Sequence, residues 1–243
     1  MRNRLVLLPG WGLGTAALEP LAASLRAQDP HLQIELMPLP ELAEADAAAW
    51  VDYLHRKLPT DTWLGGWSFG GMLASLLAER RGDHCCGLLT LASNPSFVAR
   101  PDWPHGMAPD TFATFLDGCR SHPQVTLKRF RSLCSEGAQM PRSLMRLLGV
   151  GVPDTDPLYL ANGLHVLQQL DTRDALERYA GPQLHLFAGS DALVPAEAAQ
   201  ALSDLLPDVE VGLVEDSAHA FLLEYPQELA TGIKSFLHES GDD

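Results

Sequence analysis

Residues 63–75 read Trp-Leu-Gly-Gly-Trp-Ser-Phe-Gly-Gly-Met-Leu-Ala-Ser, and the serine at position 68 stands between two pairs of glycines. The residues before it form an apolar-rich run of strand length, and those after it open a helical pattern that continues to Arg81. A strand that turns directly into a helix brings two backbones close together. Glycine suits such a crossing, because a β-carbon would occupy the gap. Gly66-Trp67-Ser68-Phe69-Gly70 therefore reads as G-x-S-x-G, a sharp strand-to-helix turn that lifts one hydroxyl above a sheet. A motif this short also describes an ordinary glycine-rich turn, so its chemistry depends on what the rest of the chain supplies.

Working outward, short apolar runs recur on both sides. Strands are expected at Leu5–Leu8, Gln33–Met37, Trp63–Gly66, Gly87–Ala92, Leu184–Ala188 and Val209–Val214. Helical patterns lie between or after them, at Ala16–Ala27, Asp46–Leu58, Phe69–Arg81, Ala196–Leu205 and Gln227–His238. This alternation predicts βαβ units and a mostly parallel sheet flanked by helices. From about Phe97 to Tyr179 the rhythm gives way to helical patterns alone, such as "PDTFATFLDGC" and "QVTLKRFRSLC". The expected organisation is an α/β core of residues 1–96 and 180–243, with an all-helical insertion at residues 97–179. Such an insertion is expected over the carboxyl ends of the strands, where open α/β sheets place their ligands.

Composition narrows the function classes. The chain has 243 residues, 46% hydrophobic and 20% charged, enough for one substantial core with an inserted subdomain. A net charge of −14 disfavours nucleic acid or an anionic membrane as the main partner. No apolar run approaches the ~18 residues of a membrane span. The first one stops at Pro9-Gly10, short of the ~7–15 residues of a signal-peptide core. A cytoplasmic monomer is expected. Cys85, Cys86, Cys119 and Cys134 match neither C-x-x-C nor any zinc spacing and read as reduced thiols. Nothing downstream completes His84-Cys85-Cys86 as a metal site, and no metal or other cofactor is expected.

A serine hydroxyl is a weak nucleophile until a base takes its proton, and the base needs an acid to orient it. Where the serine sits in a turn of this type, the acid and then the histidine follow, each after a later strand. Asp191 comes directly after the run "LHLFAGS", and His219 directly after the final apolar run, in "VEDSAHA". Ser68 as nucleophile, His219 as base and Asp191 as its partner is the resulting assignment. His185 lies inside a strand and His238 near the C-terminus; Asp216, three residues from His219, is a substitute acid. An oxyanion needs two donors. The Phe69 backbone amide at the helix start is one, and the Trp11 amide in the tight turn "LLPGWGLG" is the other. Trp67, Phe97, Phe130, Leu133 and Phe221 are candidate apolar walls.

The stretches "LLPGWGLG", "WLGGWSFGGMLAS", "LLTLASNPSFVARPDWP", "LANGLHVLQQLDTRDAL" and "GSDALVP" resemble the α/β-hydrolase family across essentially the whole chain. More narrowly, the chain is similar to the pimeloyl-[acyl-carrier protein] methyl ester esterases of biotin synthesis. One departure is Pro9, where many relatives have histidine; it leaves the Trp11 amide available. The resemblance implies an α/β-hydrolase fold and a serine carboxylesterase acting on a carrier-bound ester, with no cofactor. It implies substrate contacts at Trp11, Ser68, Phe69, Phe130, Arg131, Ser132, Leu133, Cys134 and His219. It also implies docking of an acidic acyl-carrier protein at Arg129, Arg142 and Arg146, while Val125 stands where a further arginine would be expected.

Charge points the same way without the resemblance. Between Gly118 and Val150 six basic residues (Arg120, Lys128, Arg129, Arg131, Arg142, Arg146) face one acidic residue (Glu136), a local +5 in a chain of net −14. A basic patch on an acidic protein suits an acidic partner, although a solvated helical face has the same composition. The residues leave open a general carboxylesterase, a thioesterase or C–C bond hydrolase, and a non-catalytic ligand receptor that kept the fold.

Overall fold

Six apolar runs pair as strands: β1 (Arg4–Leu8), β2 (Gln33–Leu36), β3 (Thr62–Trp67), β4 (Cys85–Leu91), β5 (Gln183–Ala188) and β6 (Glu210–Val214). In the computed structural model, which describes residues 3–240, they form one sheet in the order β2-β1-β3-β4-β5-β6. Every pairing is parallel. β3 and β4 are buried at every residue, which requires cover on both faces, whereas the edge strands β2 and β6 stay half exposed.

The cover comes first from α1 (Glu19–Gln28), α2 (Ala47–Lys57) and α3 (Phe69–Arg81). The expected Ala16–Ala27 helix is in fact a 3-10 turn, Thr15–Leu18, followed by α1. Pro20 explains the restart, because proline lacks an N–H and is accommodated in a helix's first turn, not in its interior. Between β4 and β5 lie α4 (Pro109–Ser121), α5 (Pro123–Ser135), α6 (Pro141–Leu147), α7 (Pro157–Gln169) and α8 (Arg173–Arg178). The first four begin on a proline, the residue pre-set for a helix start. The two ends of this insertion meet, with Thr172 N–H donating to the Pro95 carbonyl at 2.8 Å and Arg173 pairing with Asp102 at 2.8 Å. The chain closes with α9 (Glu197–Leu205), α10 (Phe221–Glu224) and α11 (Pro226–Glu239). α1 packs on α11, and α3 packs on α2 and α8. Four-residue α10 was not expected, since one turn is too short to show a period.

Strand order positions the site. The chain leaves β1 for β2 on one side, then returns through α2 to β3 on the other. That reversal opens a crevice at the carboxyl ends of β1 and β3. The turn at 9–14 and Ser68 both lie there. Among the described residues, no helix is long and apolar enough to cross a membrane.

Candidate active site

Ser68 joins β3 to α3 with φ 55° and ψ −121°, a backbone state that a residue with a β-carbon rarely adopts. Its surroundings impose this. The Ser68 amide donates to the Leu91 carbonyl at 2.8 Å, and its carbonyl accepts from Ser93 Oγ and the Gly71 amide, both at 2.9 Å. The crossing is as close as the glycines suggest. A β-carbon on Gly70 would lie 2.6 Å from the Leu8 carbonyl carbon, and one on Gly66 would lie 2.5 Å from the Gly71 nitrogen.

Asp191 and His219 arrive from the loops after β5 and β6. The Asp191 Oδ1 atom accepts backbone N–H bonds from Leu193 at 2.8 Å and Val194 at 3.0 Å. Its Oδ2 accepts from His219 Nδ1 at 2.7 Å, and neither side chain is exposed to solvent. With the proton of the neutral ring on Nδ1, Nε2 is the acceptor; it is buried and has no hydrogen-bond partner among the described residues. Trp67, the residue before Ser68, donates its indole N–H to the His219 carbonyl at 2.9 Å, and the two rings stand 5.6 Å apart. The His219 ring and Ser68 are thus carried by adjoining pieces of backbone. Asp216 is exposed in a turn at φ 49°, and Asp191 holds the ring instead. Burial pushes the Cys134 thiol well above the usual thiol range, and the Asp191 charge adds to it, so this neighbour stays neutral.

The Trp11 and Phe69 amides have no protein acceptor among the described residues. Phe69 is the first residue of α3, where helix N–H groups have no partner within the helix. The Trp11 indole N–H donates to the Leu160 carbonyl of α7 at 2.8 Å, and its ring meets Phe130 and Phe115 edge-on at 5.1 and 5.5 Å. A tight apolar cavity opens beside Ser68, walled by Trp11, Phe97, Met107, Phe115, Phe130, Leu164, Leu167 and Leu193. Of the expected walls, Phe97 and Phe130 line it. Trp67 lies against His219, Phe221 is wholly buried outside the lining, and Leu133 packs into the core. Of the run Phe130–Cys134 only Phe130 faces the cavity, because α5 turns about 100° per residue. Arg131 is half-buried, Ser132 is exposed and Cys134 is buried. Met107, Phe115, Leu164 and Leu167 escaped the sequence reading, since apolar residues of a helical insertion look alike whether they face a core or a cavity.

Residues 8–226 match the alpha/beta hydrolase fold family. The chain belongs to that family. The chain is 36% identical over 241 residues to the biotin biosynthesis bifunctional protein BioHC of Cellvibrio japonicus, a match covering 97% of the chain and 47% of that protein. It thus spans about half the length of that relative, and of a second bifunctional one from Teredinibacter turnerae. It is 34% identical over 250 residues to the pimeloyl-[acyl-carrier protein] methyl ester esterase of Aromatoleum aromaticum, covering 96% of the chain and 97% of that enzyme. Among solved structures, a bromoperoxidase from Bacillus anthracis superposes with a TM-score of 0.80 at 18% identity, over 98% of this chain and 92% of that one. That likeness concerns the fold.

The chain carries a group of basic residues on α5 and α6. Arg129, Arg142 and Arg146 are exposed, and among the described residues no carboxylate pairs with them. Arg120, by contrast, reaches Asp117 and His165. Exposed apolar side chains accompany the arginines: Met140 (70% exposed), Val125 (67%) and Leu147 (50%).

Proposed function

We propose that this hydrolase is a serine carboxylesterase that cleaves the methyl ester of pimeloyl-[acyl-carrier protein] in biotin synthesis. The observation that carries the chemistry is the solvent-free Asp191–His219 pair, with its outer nitrogen unpartnered and its backbone bonded to the residue before Ser68. The substrate follows from the names of relatives about one-third identical.

In this reading Ser68 Oγ attacks the ester carbonyl while His219 Nε2 takes its proton. Asp191 balances the imidazolium, and the Trp11 and Phe69 amides hold the oxyanion. Collapse expels methoxide, which leaves as methanol with the proton from His219. Water then attacks the acyl-enzyme by the same route, and Ser68 is restored as the free carboxylate leaves. The apolar cavity takes the acyl chain, with Trp11 and Phe130 as contacts. Residues 97–179 act as a cap on the core formed by 1–96 and 180–243. Arg129, Arg142 and Arg146, with no carboxylate partner among the described residues and flanked by Met140 and Leu147, dock the acidic carrier; a charged rim around apolar anchors is how such surfaces recognise partners. The enzyme works as a cytoplasmic monomer, in keeping with four buried cysteines that form no disulfide among the described residues.

The test compares the carrier-bound methyl ester with a free short-chain methyl ester, for the wild type, Ser68→Ala and the triple change Arg129/Arg142/Arg146→Ala. The expected result is no turnover of either ester by Ser68→Ala, and loss of the carrier-bound preference alone in the triple variant. Equal cleavage of both esters by wild type and triple variant would make this a general esterase.

A further inference from the structure

The loop that bears His219 is fastened to the turn between α5 and α6 by a set of polar contacts. Glu224, at the end of α10, accepts the Ala218 N–H at 3.0 Å through Oε2 and the Gln139 N–H at 3.3 Å through Oε1. On the other side of His219, the Ala220 N–H donates to the Cys134 carbonyl at 3.1 Å. The Gln139 side-chain amide donates to the Tyr225 hydroxyl at 3.0 Å, and that hydroxyl donates to the Asp216 carbonyl at 3.5 Å. Gly137, at φ 90°, lets the turn pass against the Asp191 loop, where a β-carbon would meet Ser190 Cβ at 2.8 Å. Both neighbours of His219 therefore have their amides occupied, one by the insertion's backbone and one by a single carboxylate that also grips the insertion.

We propose that Glu224 is a positioning residue for His219, one carboxylate bridging the backbone beside the base to the α5–α6 turn. This rests on the reading of His219 as the general base. The Asp191 bond fixes the ring's rotation, but the ring's distance from Ser68 is set by where the 218–220 backbone lies. Ala218 is fully buried, and removing Glu224 takes away the acceptor that fixes where its N–H, and with it the loop, lies. Displacing a catalytic group by about 1 Å costs on the order of 100-fold in rate. Gln139 adjoins Met140 and stands three residues before Arg142, so the same carboxylate ties the basic face to the base.

The test measures kcat and KM for p-nitrophenyl butyrate, with thermal melting, in wild type, Glu224→Ala, Glu224→Gln and His219→Ala. For Glu224→Ala we expect kcat to fall about 10- to 100-fold, KM to stay within about twofold and the acid limb of the pH–rate profile to move. Glu224→Gln keeps one acceptor oxygen, enough for the Ala218 N–H but not for the Gln139 N–H as well, so its kcat should fall between those of wild type and Glu224→Ala. A purely structural residue would lower the melting temperature and leave kcat alone, and that result overturns the proposal. If Glu224→Ala does not fold, Glu224→Asp, one carbon short, must show the same kcat loss at unchanged KM, and wild-type kcat there overturns it equally. An active His219→Ala would sink the underlying reading and this proposal together. An inactive His219→Ala beside a fully active Glu224→Ala would sink this proposal alone.

Discussion

The indole N–H of Trp67 donates to the carbonyl of His219 at 2.9 Å, across 152 positions of sequence, so the residue that precedes Ser68 holds the backbone of His219. Trp67 is wholly buried and so is His219, which makes that carbonyl dependent on this donor. Trp67→Phe keeps most of the ring and removes the N–H. It should cost about 1–3 kcal/mol of stability for a buried acceptor left unpaired. It should also lower kcat about tenfold through a displaced base. Urea unfolding and steady-state kinetics on one preparation check both parts.

Asp191 accepts three hydrogen bonds in a site without solvent. Asp191→Asn preserves shape but offers His219 Nδ1 an amide that can donate, which favours the tautomer with its proton on Nε2. A loss of about 10³–10⁴ in kcat is expected, the scale seen when a triad acid is neutralised. A loss below tenfold would mean that another group orients the ring.

The glycines of the turn are not equivalent to glycines elsewhere. Gly66→Ala and Gly70→Ala drive a β-carbon into backbone that cannot retreat and should prevent accumulation of folded protein. Gly232 lies exposed within α11, with nothing within 4 Å of an added β-carbon. Gly232→Ala should stabilise the fold by about 0.5–1 kcal/mol. Thermal melts of the three variants separate steric need from helix propensity.

Acid should unfold the protein through His185, which is buried in β5 and satisfied as a neutral ring by Thr90 Oγ1 at 2.7 Å and Gln183 Oε1 at 3.2 Å. Burial pushes its pKa down from 6.5 to about 3. The unfolded chain therefore binds a proton near pH 6.5 that the folded chain refuses until about pH 3. Stability contributed by this residue is complete above the upper value and is lost as pH falls, by about 1.4 kcal/mol per unit at most. Urea midpoints taken between about pH 7 and pH 4 should show that slope, and His185→Gln should flatten it.

The sheet was legible in the sequence because its evidence is local. Strands buried on both faces must be short apolar runs, and helices between them must carry a 3.6-residue period. Four glycines around Ser68 announced a crossing of backbones that any observer of β-carbons could infer. The helical insertion was legible too, but not the inward-facing side of each of its helices. Phe130 was named as a wall and Phe115 was not, although both are aromatic residues in amphipathic patterns, and their shared contact with Trp11 brings them to one wall.

By itself the sequence determined the element order, the strained serine turn and the loops that carry Asp191 and His219, since each depends on residues within a few positions of one another. The tertiary structure decided which acid meets the imidazole, which aromatic residues enclose the cavity, and that Trp67 and Glu224 bond the backbone at His219 and Ala218. Those are contacts between segments far apart in the chain or shaped by a turn too short to show a period. A hydrogen bond of about 3 Å depends on where packing brings two backbones, and no local pattern encodes that distance.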